Sequence, residues 1–289
     1  MPLDFANDYD TYRGVPTKLD YPVEYEPSKL DDHKYVINGN TGEYIGHVGN
    51  GFRCVPHGDY FLSVKDVIRE GLTPEQLEGA TTKFNSSLNN AWAMMDIVMP
   101  NVTTTIQTDK HSTTVGQRVI ALHGVDGSCS NQVFFGAIDF FCTNGMITGD
   151  YDKVRRKNTS NFCMSRFIAE LNQSSLDFHN QTEKLQTWAR IELPTYSNKG
   201  WNEVLSSITK SDQKAKKMLP LVQQEVSKRG RNVFALYSAF TNYASYADER
   251  NGFNLRNTGK DTESQSMWAR EHEVTKWIDT PEFKKLAAA

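Results

Sequence analysis

Three residues bracket the stretch of this chain whose spacing best suits metal or acid–base chemistry: His123, Asp126 and Asp139. An imidazole and two carboxylates can share a divalent cation or hand on a proton. Hydrolytic sites recruit several converging carboxylates, however, and this region supplies two. The Asp126-Gly127 pair reads equally well as a turn in which Asp126 bonds its own backbone. Cys142-Thr-Asn-Gly145 offers a nucleophile with no activating base nearby in sequence. There Asn144-Gly145 reads as a turn and Cys142 as a small core residue. The expectation is a protein that is not an enzyme and holds no cofactor. A cryptic metal-dependent nuclease around the first three residues is kept as an alternative.

A second chemistry belongs to the cations. Lys153-Val-Arg-Arg-Lys157 precedes Asn158-Thr-Ser160, a combination of charges and small donors that suits a phosphate backbone. Lys210, Lys214 and Lys217 fall on one face of an expected helix, with Ala215, Leu219, Val222 and Val226 on another. Lys228-Arg-Gly-Arg231 is a third cluster. The expected nucleic-acid-binding set is Lys153, Arg155, Arg156, Lys157, Lys214, Lys217 and Arg229. Sequence-neutral single-strand binding also uses exposed rings. Phe134, Phe135, Phe140 and Phe141 occur as adjacent pairs, and neighbours on a strand face opposite ways. If both faces of their sheet are covered, all four are core, and that is the expectation.

The formal charge of −3 hides an asymmetry. Residues 1–80 hold 14 Asp/Glu against 7 Lys/Arg, whereas residues 151–231 hold 15 Lys/Arg against 8 Asp/Glu. A local basic groove is therefore compatible with an acidic chain. No apolar run approaches the roughly 20 residues that span a bilayer. The first residues lack the basic and apolar regions of a signal peptide, so a cytoplasmic location is expected. The four cysteines are widely spaced without a CxxC pair, which argues for free thiols and against structural zinc. No GxxxxGK[ST] or strand-borne GxGxxG pattern is present, which disfavours ATP-driven enzymes.

The elements that must position these residues follow from periodicity. Residues 1–33 show no sustained period and read as an extended acidic arm. Residues 43–48 and 52–56 read as a hairpin around Gly49-Asn-Gly51. A helix is expected from Gly58 to Gly71, and a short one from Pro74, capped by Thr73. Between 91 and 148 the runs 91–98, 102–107, 117–123 and 132–141 predict a mostly antiparallel sheet. Beyond Asp150 the period turns helical, with segments near 159–174, 181–191, 199–209, 212–229, 232–248 and 262–277. The fold class is α+β, with a β-rich half at 34–150 and a helical half at 151–284 packing on it. Residues 285–289 read as a vector-derived tail.

Three segments carry a resemblance. They are Tyr44-Ile-Gly-His-Val-Gly-Asn-Gly-Phe52 with its following helix, Leu122-His-Gly-Val-Asp-Gly-Ser128 with Phe140-Phe-Cys-Thr-Asn-Gly-Met146, and Asn232-Val-Phe-Ala-Leu-Tyr-Ser-Ala-Phe-Thr-Asn-Tyr243. In this order they resemble a phage/plasmid-like family, domain-of-unknown-function family 932. Its pattern has a "VG-aromatic" hairpin, an "HDGS"-like turn, a "CxNG"-like segment and a late aromatic helix. Here an inserted Gly-Val separates His123 from Asp126, and Phe234 stands where a Trp is commoner. The resemblance implies a phage or plasmid setting and no particular activity. By analogy it extends to single-strand annealing proteins. The resulting expectation is a homo-oligomeric, ATP-independent protein that binds and anneals single-stranded DNA. The alternative partner is a host or phage protein met through residues 1–33.

Overall fold

The computed structural model describes residues 14–140, 144–146, 155–159, 161–175, 178–246 and 263–288. Residues 14–33 are more ordered than an arm. A 3₁₀ turn at Thr17–Leu19 leads into β1 (Val23–Pro27), and Leu19 and Tyr21 are buried. β1 pairs with β2 (His33–Asn38), which pairs with β3 (Tyr44–Gly49), giving a three-stranded antiparallel sheet. The hairpin partner of β3 is thus β2, not residues 52–56. Asn38 decides this: its carbonyl accepts the Gly42 N–H at 2.7 Å and its side chain accepts the Asn40 N–H at 2.9 Å. Gly42, at φ +72°, takes the left-handed geometry that closes the turn.

Residues 53–56 run straight to the next helix, α1 (His57–Gly71), followed by α2 (Pro74–Leu77). In α2 the expected Thr73 cap is completed reciprocally by Gln76.

The main sheet contains β4 (Thr81–Ser86), β5 (Trp92–Gln107), β6 (Ser112–Gly124), β7 (Asn131–Asp139), β8 (Asn144–Met146) and β9 (Arg155–Arg156). Its order is β4-β5-β6-β7-β8, with β9 also paired to β7, and all pairings are antiparallel. The two strands expected at 91–98 and 102–107 are one. β5 passes Pro100 through a register shift between Met99 and Thr103, where the missing proline N–H is tolerated. β4 carries too few apolar residues to be visible in the sequence.

The helical half comprises α3 (Met164–Ser175), α4 (Phe178–Arg190), α5 (Asn198–Thr209), α6 (Asp212–Arg229), α7 (Val233–Tyr246), α8 (Glu263–Ile278) and α9 (Pro281–Ala287). Residues 285–287 are helix rather than tail, and Leu286 is buried in the helical core. α7 is buried on all sides from Val233 to Ala244, the mark of a central helix.

One sheet face sets Ala93, Met95, Ile97, Val119, Ala121 and Phe135 against Tyr60, Phe61 and Val64 of α1 and Phe167 of α3. Farther along, Ile106, Val115 and Ala137 join the core of the helical half. The opposite face carries Trp92, Met94, Ile120, Leu122 and Phe134, then a buried ion triad. In it Arg118 forks onto Asp96 at 2.9 and 2.6 Å and reaches Glu271 of α8 at 2.7 Å. Among the described residues no helix is long and apolar enough to cross a membrane.

Candidate nucleic-acid interface

β9 is a two-residue strand held by long-range contacts. Arg155 pairs with Gln132 and Arg156 with Asn131. Beyond it, the buried Asn158 donates to the Gly124 carbonyl at 2.6 Å and accepts from the Asn131 amide at 2.7 Å. Thr159 then bridges to Phe52, tying the segment to the start of the chain.

On this strap the cations face out. Arg155 is exposed, and its Nε donates to Ser130 Oγ at 2.8 Å. Arg156 pairs with Glu170 of α3, and Arg166 stands 3.6 Å from the same carboxylate with its side chain 78% exposed. Lys157 is exposed. The Phe52–Thr159 bridge brings in Arg53, an exposed guanidinium that donates to the Phe52 carbonyl at 2.8 Å. Among the described residues the strap presents Arg155, Arg156, Lys157 and Arg166, with Glu170 paired to Arg156 and Arg166, while Arg53, next to the Phe52–Thr159 bridge, leans toward the Tyr25 ring 5.6 Å away. Arg53 and Arg166 were missed in the sequence because their proximity comes from a bridge and from the start of α3.

Lys153 lies outside the described residues. Lys214 pairs with Glu273 of α8 and sits over the Tyr243 and Trp277 rings at 5.4 and 5.3 Å, so it joins helices together. Lys217 is half-buried one turn on.

Arg229 is a correction. It is fully buried, donating to Asp139 at 2.5 Å, Glu225 at 2.8 Å and Thr113 at 2.6 Å. Its rigid fork is occupied inside the protein, so no phosphate can reach it. Two of the phenylalanines, Phe134 and Phe135, are core, and Phe140 is 37% exposed. Phe141 and Cys142 lie outside the described residues.

The weak metal candidates do not converge. Asp139 faces Val115, eight residues along β6 from His123, or roughly 26 Å at the usual strand rise. Asp126 accepts the Ser128 N–H at 2.9 Å, the turn geometry expected of it. Gly127, at φ +81°, completes that turn.

His123 is fully buried between Tyr60, which stacks on it at 4.5 Å, and His57. The His57 Nε2 must donate to the Asn90 carbonyl, 2.9 Å away. Its Nδ1 therefore accepts, and His123 Nδ1 donates across 2.8 Å. Both rings are neutral in this arrangement. Burial holds His123 well below the ordinary imidazole range and brings His57 down to about 4. Among the described residues no group of three or more His, Cys, Asp or Glu is placed to hold a metal ion.

The described thiols are unpaired. Burial pushes Cys54 up to about 11 and Cys129 up to about 12. The exposed Cys163, at the start of α3, is lowered by the Ser165 hydroxyl and the backbone N–H groups beside it.

In comparison with known families, the model described as Domain of unknown function (DUF932) matches residues 44–285. No curated protein and no solved structure matches the chain.

Proposed function

The chain belongs to the DUF932 family, and from that footing we propose that it is a phage-type protein that binds single-stranded DNA through the 155–159 strap. The observation that carries this reading is a set of outward cations on a backbone anchored to a sheet. Arg155 and Lys157 are exposed, Arg155 is held by the Ser130 hydroxyl that accepts from its Nε, Arg156 and Arg166 share the Glu170 carboxylate, and Arg53 adjoins the Phe52–Thr159 bridge. Such a surface attracts a polyanion through its phosphates and leaves the bases unengaged. Strand annealing without ATP is the activity this would serve, with the protein acting as an oligomer in the host cytoplasm.

The test is fluorescence anisotropy with labelled single- and double-stranded oligonucleotides, without metal, over a salt series. Four or five phosphate contacts predict a log–log salt slope of about −3 for single strands. A protein that fails to bind either form at low salt does not have this function.

A further inference from the structure

We infer that the outer face of the β1–β3 sheet is a docking surface for an extended, arginine-bearing segment of a partner protein. The register lays out its chemistry in two rows. Glu26 of β1 stands opposite Tyr35 of β2, which stands opposite His47 of β3. Glu24 stands opposite Ile37, which stands opposite Tyr44. Both glutamates, His47 and Tyr44 are exposed, Tyr44 by 57%. The rings touch one another: Tyr35 lies 5.8 Å from Tyr44 and 5.0 Å from His47. Carboxylates thus flank a cluster of rings that is exposed at Tyr44 and His47, half-buried at Tyr35 and closed over Ile37, and among the described residues neither glutamate has a cationic partner.

The hidden face of the same sheet shows the complementary half of this chemistry in place. Tyr25, between Glu24 and Glu26 in sequence, carries Lys34 Nζ 3.8 Å from its ring centre and the Arg53 guanidinium at 5.6 Å. The inward ring has its cations from within the chain, and among the described residues the outward rings have none. A guanidinium suits them better than an ammonium, because its plane stacks on a tyrosine while its fork engages a carboxylate. Among the described residues β1 is an edge strand, and its two outward glutamates are spaced by the period of two. An extended segment laid beside it with arginine at alternate positions meets both. The acidic balance of residues 1–80 draws a cationic segment and repels nucleic acid. This surface is therefore separate from the strap, and the inference does not rest on DNA binding.

The experiment titrates the full-length protein, by nitrogen–proton correlation NMR at low salt, with a capped peptide of alternating glycine and arginine. A peptide with citrulline for arginine is the neutral control. Shifts at Tyr35, Tyr44 and His47, weakened about tenfold in the Glu24→Gln/Glu26→Gln variant and absent with citrulline, are the expected result. Equal affinity for variant and wild type, or equal binding of the citrulline peptide, overturns the proposal. So does the absence of any shift at low salt. Sedimentation of the free protein covers the remaining occupant. Self-association that the same double variant abolishes assigns the face to a second copy and overturns a foreign partner.

Discussion

His123 Nδ1 and His57 Nδ1 stand 2.8 Å apart in the core, joined by a hydrogen bond between residues 66 positions apart in the chain. The pair makes the protein sensitive to acid. Both imidazoles are neutral when folded and titrate near the ordinary value when unfolded, so their contribution is complete above about pH 6.5. As pH falls below that value the unfolded chain takes up protons that the folded one refuses, and stability is lost down to the folded value of about 4 for His57. Urea denaturation between pH 7 and 5 should show a loss approaching about 1.4 kcal/mol per pH unit for each histidine. His123→Phe should flatten the dependence, and an unchanged slope would refute the assignment.

Arg229→Ala should destabilise the protein by about 3–5 kcal/mol, because it leaves Asp139 and Glu225 as buried carboxylates without their cation. Arg118→Ala should cost a similar amount through Asp96 and Glu271. Thermal or chemical unfolding measures both. A variant at Arg229 that keeps full stability but loses DNA affinity would return that residue to the binding set.

Arg155→Ala/Arg156→Ala should weaken single-strand binding and reduce the salt slope by about 1.4, since two phosphate contacts disappear. Their outward positions predict little loss of stability, which circular dichroism would monitor. The Lys214→Ala variant should do the reverse: lower stability through lost contacts to Glu273, Tyr243 and Trp277, with affinity retained. Equal affinity for wild type and the Arg155/Arg156 variant would remove the strap from the site.

Alkylation at pH 8 followed by mass spectrometry should label Cys163 well before Cys54 or Cys129. The first is exposed with its thiol pKa lowered, and the other two are half-buried with theirs raised. Comparable labelling of Cys129 in folded protein would contradict the packing of the 124–130 turn.

Most of the helical half was legible in the residue pattern because an amphipathic period is a local property. The expected segment at 212–229 coincides with α6 at both ends, and that at 199–209 matches α5 to within one residue at its start. Pairing partners were less legible. Residues 52–56 offered β3 a neighbour with the right composition, but Asn38 and Gly42 had already closed the turn with β2. The arm at 1–33 hid a strand because the four residues between Pro22 and Pro27 leave too little alternation to register.

The same division runs through the site. By itself the sequence determined where cations cluster and that no nucleotide-binding or paired-cysteine motif is present, since charge and spacing are written in residue type. The tertiary structure alone decided which cations meet solvent. Arg155 and Arg229 have the same side chain and similar neighbours in sequence. One lies on a strand at the sheet edge, and the other is enclosed by a carboxylate 90 residues away. Whether a guanidinium is free to bind a ligand depends on what the rest of the chain packs around it.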